Sequence, residues 1–125
     1  MSKSIPTEIH WLEAVAEPNY TAAESYLGLL HPEKQVAGII AGLRNAPIVQ
    51  FKAKDIFRAS RLSLLGVSNS HVVKDIKKIE KGLSLSPILL VREEQNGVVV
   101  IADGYHRMCA IYGFNEDSWI RCKII

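Results

Sequence analysis

A chain of 125 residues is long enough for one domain with a real core and too short for two ordinary ones. Its apolar fraction of 48% and charged fraction of 22% exclude wholesale disorder, and no apolar run approaches the ~18 residues of a membrane-spanning helix. The formal net charge of +2 hides an uneven distribution: residues 44–81 hold nine Lys/Arg against three Asp/Glu, which makes them either a surface for an anionic partner or a solvated basic face.

Taken in chain order, the first third reads as helical. Thr7 caps an expected helix through Ala16, with Ile9, Leu12, Val15 and Ala16 on one face, and Pro18-Asn19 interrupts it. A second helix is expected from about Thr21 to Leu30. A third begins at Pro32, puts Val36, Ile39, Ile40 and Leu43 at core spacing, and ends before Asn45-Ala46-Pro47. Ile48 to Ala53 then alternates as a half-buried strand does, and Lys54 to Leu65 reads as short helical turns or a loop, basic throughout. Asn69 or Ser70 caps a helix from His71 to Lys81, closed by Gly82. Strands follow at Pro87 to Arg92 and Val98 to Ala102, joined by a hairpin at Gln95-Asn96-Gly97. Tyr105, Met108, Cys109 and Tyr112 fall at helical spacing with Gly113 as the residue past its end, and Trp119 to Ile125 is a final strand. Helices first and a mixed region after them indicate an α+β fold, one domain over 1–125, with a helical extension at about 7–45 and a sheet-bearing core at about 48–125.

Cys109 and Cys122 lack CxxC spacing, which argues against a zinc site or a disulfide scaffold and suits a reducing cytoplasm; Cys109 is expected to be a buried, inert thiol. Met1 to Pro6 has no apolar core of a signal peptide. The four histidines, His10, His31, His71 and His106, are scattered without ligand spacing, so no metal site is expected.

The chemistry concentrates at Asp103-Gly104-Tyr105-His106-Arg107. A strand that ends in Asp-Gly and passes straight into a helix leaves helix-start amides without partners, and these together with the helix dipole attract an anion. Gly104 permits close approach of the backbone, His106 and Arg107 add donors, and Arg107 can hold two phosphate oxygens at once. Asp103 is either the N-cap or the residue that orients His106 or Arg107. On the preceding helix, Val72, Val73, Ile76 and Ile79 form the buried stripe, while His71, Lys74 and Lys78 share the opposite face without an acidic partner on that stripe. Lys52, Lys54, Arg58 and Arg61 make an auxiliary basic patch, suited to the rest of a nucleotide, to nucleic acid, or to water alone. Read without further context, the same features also describe a capped helix with a surface arginine and a solvated helix face.

From Ile48 onward the sequence resembles the ParB/sulfiredoxin superfamily. The likeness lies in the helix His71–Gly82, the segment Leu85-Ser86-Pro87-Ile88-Leu89-Leu90-Val91, and Ile101-Ala102-Asp103-Gly104-Tyr105-His106-Arg107, in that order. It is nearest to short bacterial ParB-like proteins of unassigned function. The resemblance implies a mixed sheet with helices, phosphates of ATP, ADP or CTP (with Mg²⁺) held at Gly104 to Arg107, and contacts to the nucleotide from His71, Lys74 and Lys78. Tyr105 stands where sulfiredoxins have their reactive cysteine, so sulfinic acid reduction is not expected. Gly-Tyr-His-Arg replaces the Gly-Glu-Arg-Arg of partition proteins, and no helix-turn-helix domain follows, so clamp loading on DNA is not expected either. Free serine kinases of this fold carry the nearer Asp-Gly-His-His-Arg, but their catalytic acid corresponds to the Ser70-His71 region here. The expectation is a cytoplasmic, non-membrane domain that binds a nucleotide or another phosphorylated small molecule. Its enzyme version is a phosphotransferase or nucleotide hydrolase with Asp103 as a metal-side carboxylate. The alternative is a non-catalytic module that binds nucleic acid or a partner protein.

Overall fold

Residues 88–91 dictate the architecture. In a strand, alternate side chains leave by opposite faces, and Ile88, Leu89, Leu90 and Val91 are all buried. A sheet with such a strand needs cover on both faces. A computed structural model of the chain, which describes residues 8–125, shows how that cover is provided. The sheet has four strands, β1 (Val49–Lys52), β2 (Ile88–Glu93), β3 (Val98–Asp103) and β4 (Trp119–Ile124), in the order β1-β4-β2-β3. Helices α1 (Glu17–Leu27) and α2 (Glu33–Asn45) pack on one face, and α3 (Ala53–Ser60), α4 (Ser70–Glu80) and α5 (Tyr105–Phe114) on the other. The fold is α+β with a mixed sheet: β2 pairs antiparallel with β3 and parallel with β4, and β1 pairs antiparallel with β4. None of the helices among the described residues is long and apolar enough to cross a membrane.

Two cores result. Ile88 and Leu90 meet Ile56 of α3, Val72 and Ile79 of α4, and Met108 and Ile111 of α5. Leu89, Val91 and Ala102 meet Tyr20 and Leu27 of α1 and Val36, Ile40 and Leu43 of α2. The sheet is therefore the shared wall between the first third of the chain and the rest.

Several expectations from the sequence need correction. No helix forms over 8–16; this stretch is irregular, with a bend at Glu13 and Ala14, and its Trp11 makes a parallel bridge with Leu85, with Leu12 N–H donating to the Leu85 carbonyl and Leu85 N–H to the His10 carbonyl, both at 2.8 Å. The proposed cap, Thr7, lies outside the described residues. Helical spacing of Ile9, Leu12 and Val15 lost to this long-range pairing, which supplies the backbone partners a helix would otherwise provide. Pro18 does not break a helix but starts one: it sits in the first turn of α1, where its missing N–H costs nothing. That helix stops at Leu27, short of Leu30. Ala53, read as the end of a strand, is the first residue of α3, and the basic stretch after it is a regular helix up to Ser60. Gly113 lies within α5, whose C-cap is Asn115.

Candidate functional site

The site is built where β3 gives way to α5. Leu90 pairs with Ile101 but Leu89 pairs with Asp103, so Ala102 is an extra residue on β3, a bulge that turns the strand end. Gly104 follows with φ of 110°, a conformation that side-chain-bearing residues rarely adopt. A Cβ at Gly104 would lie 2.8 Å from Cγ1 of Ile88 and 3.0 Å from a guanidinium nitrogen of Arg107. Glycine is thus demanded twice, by the backbone angle and by the neighbouring strand. Gly104 is also the N-cap of α5, and no side chain among the described residues caps that helix end, so its first-turn amides face the site uncapped.

The opposite wall comes from α4. The Asn69 side chain accepts hydrogen bonds from the N–H groups of His71 and Val72, at 2.9 and 3.2 Å, which fixes the first turn. Val72 and Ile79 face the core that α4 shares with α5, and the polar residues His71, Lys74, Asp75 and Lys78 border the start of α5. Between the two helices lies a cleft of about 230 Å³, lined by His71, Lys74, Asp75 and Lys78 from α4 and by Asp103, Gly104, Tyr105, His106 and Arg107. All seven principal residues singled out in the sequence line this one cleft, as does Asp103. The rings of His71 and His106 pack with centroids 4.8 Å apart, and those of Tyr105 and His106 at 5.7 Å. Tyr105 donates its hydroxyl to the Ser63 carbonyl, and burial pushes its phenol above the usual range, so it stays a neutral donor.

Arg107 is held differently from the other cations. Its guanidinium forms an ion pair with Asp103 at 3.1 Å, with only 15% and 16% of the two side chains exposed. Its Nε is buried and has no hydrogen-bond partner among the described residues. Asp103 is therefore the residue that orients Arg107, not the N-cap. Lys74 and Lys78 are exposed and make no ion pair among the described residues. They are the cleft's uncommitted positive charges.

Asp75 is the cleft residue that sequence reasoning passed over. It lies off the His71–Lys74–Lys78 stripe, but it is four residues after His71 on the flank turned to α5, and that spacing was the available signal. The auxiliary patch is not part of the cleft. Lys54 and Lys52 both pair with Asp117, at 2.7 and 3.8 Å, and Arg58 pairs with Asp55 at 2.9 Å. The Lys54 hydrogen bond holds the Asp117 carboxyl below its usual range. Arg61, in the left-handed conformation at the end of α3, lies near Gly97 in the β2–β3 turn, at the far end of β3 from Gly104. Cys109 is buried, and burial pushes its thiol up, against an opposing hydrogen bond from Leu65 N–H.

No protein-family model, curated protein or solved structure matches this chain. The Mg²⁺ that an ATP-like ligand implies can be tested against the donor set. Magnesium on phosphates takes one or two protein carboxylates and fills the remaining positions with phosphate oxygens and water. Asp75 meets that need, whereas Asp103 is already engaged by Arg107.

Proposed function

We propose that the chain is a phosphate-binding domain of the ParB/sulfiredoxin-like kind whose ligand is a nucleotide or another phosphorylated small molecule. The observation that supports this most is the convergence of His71, Lys74 and Lys78 with the uncapped start of α5 on one polar cleft. Helix-start amides and lysines are complementary to phosphate oxygens. His71 and His106 donate further hydrogen bonds, and Arg107 sits at the back of the cleft with its charge balanced by Asp103. A bound Mg²⁺ would neutralise phosphate oxygens on the Asp75 side. In the enzyme version, a phosphotransferase or nucleotide hydrolase, Asp75 and His71 are the side chains that could take a proton from an attacking hydroxyl or water. The non-catalytic alternative, nucleic-acid or protein binding through the basic middle third, has less support: Lys52, Lys54 and Arg58 point to carboxylates and do not extend the cleft.

The test is thermal denaturation with ATP, ADP, CTP and GTP, each with and without Mg²⁺. A ligand at about 100 times its dissociation constant adds roughly 2.7 kcal/mol of stability. The double variant Lys74→Ala/Lys78→Ala removes two exposed side chains, so it is expected to keep the fold and lose the ligand-induced shift. Absence of a shift with every nucleotide and phosphate compound would sink the reading.

A further inference from the structure

The cleft is unusual in what it lacks. Small-molecule pockets span roughly 300–1,000 Å³ and are lined mainly by apolar and aromatic side chains. This one measures about 230 Å³, and every residue around it is charged, polar or glycine. The His106 ring packs against both the His71 and the Tyr105 ring, and the Tyr105 hydroxyl is tied to Ser63. Among the described residues that line the cleft there is no apolar slot for a base. Cationic groups, in contrast, continue past the cleft. At 100° per residue, Lys77 and Lys81 share the exposed face of α4 with Lys74 and Lys78, and none of the four has an ion-pair partner among the described residues. From Lys74 to Lys81 the row runs about 10 Å along the helix axis.

We infer that the cleft reads a phosphate chain and not a base: its ligand class is the linear di- or triphosphate, free or as the tail of any nucleoside, with the terminal phosphate at Gly104–His106 and the chain laid along the lysines of α4. This rests on the phosphate-binding reading above and narrows it. Orthophosphate reaches only the cleft, whereas a longer chain also reaches Lys77 and Lys81. A nucleoside would project into solvent and add little.

Calorimetric titration with orthophosphate, pyrophosphate, tripolyphosphate, ATP, CTP and GTP at one Mg²⁺ concentration and near-physiological salt tests the idea. Tripolyphosphate is expected to bind about tenfold tighter than orthophosphate, the order that two added lysine contacts of surface strength supply. The three nucleotides should match tripolyphosphate to within a few-fold. The variant Lys77→Ala/Lys81→Ala should erase the advantage of chain length and leave orthophosphate binding unchanged. A nucleotide that binds more than about tenfold tighter than tripolyphosphate would mean that stacking or base contacts are read; the inference falls and the phosphate site stands. Equal affinity for orthophosphate and tripolyphosphate overturns it as well. So does undiminished tripolyphosphate binding by Lys74→Ala/Lys78→Ala, which marks general attraction to a lysine-rich surface. If no phosphate compound binds, the inference and the phosphate-binding reading fail together.

Discussion

Gly104 is the residue on which the geometry of the cleft turns. Its φ of 110° and the 2.8 Å approach of Ile88 to the place of a Cβ leave no room for alanine. Gly104→Ala is expected to cost about 1–3 kcal/mol through the left-handed backbone, with additional strain from the clash. Chemical denaturation would measure this directly. An unchanged midpoint would mean that the turn relaxes and that glycine is not required there. Cys122 offers a pH-dependent counterpart in the same core. It is fully buried on β4, and burial pushes its thiol up to about 12 from an ordinary 9.0. Below pH 9 the thiol is neutral whether the chain is folded or not, and the fold keeps its full stability. From about pH 9 toward 12 only the unfolded chain gives up the proton, so stability falls as pH rises, by up to about 1.4 kcal/mol per pH unit from this group. Comparison of the alkaline stability slopes of the wild type and Cys122→Ala isolates the effect, since tyrosines and lysines titrate equally in both. Identical slopes would show that the thiol is solvated.

At the scale of elements, α4 orients one half of the cleft, and its first turn is capped by one side chain. Asn69 caps both His71 and Val72 amides. Asn69→Ala is expected to cost about 1 kcal/mol and, by loosening the first turn, to weaken phosphate binding through His71 without removing a ligand-facing group. Stability and affinity measured together check this, and loss of stability with undiminished affinity would show that His71 takes no part. This helix was largely legible in the sequence: its cap, its Gly82 stop and its two faces follow from local chemistry. So do the Gln95-Asn96-Gly97 turn and the strand-to-helix passage at Gly104. Less legible were features that depend on distant partners. Trp11 and Leu12 pair with Leu85, a segment more than seventy residues away, and nothing in the local pattern announced that contact. The Ala102 bulge, which turns Asp103 toward Arg107, depends on the register with β2. The neutralisation of Lys52 and Lys54 by Asp117 depends on β1 lying beside β4. The cleft residues themselves could be found because they sit on two local elements; that the two elements face each other followed from no local pattern, only from the family resemblance.

For the molecule as a whole, the question is whether the first third is an appendage or part of the fold. From the sequence alone it is expected to be an extension to a core that starts at about residue 48. Yet Leu27 and Leu43 are fully buried against Leu89, Val91 and Ala102, on the sheet face opposite the cleft. The Ala16 N–H also donates to the Ser86 hydroxyl at 3.0 Å, and Arg44 and Lys123 lie over the Tyr20 ring. Burial of a Leu or Val side chain stabilises by roughly 1.5–3 kcal/mol. Removing several such contacts at once therefore takes away an amount comparable with the whole stability of a small domain, about 5–15 kcal/mol. A fragment of residues 47–125 is accordingly expected to expose one face of its sheet, bind a hydrophobic dye and lose fixed tertiary packing, even though it retains every residue of the cleft. Leu43→Ala in the full chain separates the alternatives more finely. If α2 is integral, the variant loses about 2–5 kcal/mol in one cooperative transition that includes the cleft. If α2 is an appendage, the helices melt first, and a fluorescence or ligand-binding probe at Gly104–Arg107 reports an unchanged midpoint. The two cores share one four-stranded sheet, with Ile88 and Leu90 on one side of β2 and Leu89 and Val91 on the other, so a cavity behind the sheet is expected to be felt at the phosphate cleft in front of it.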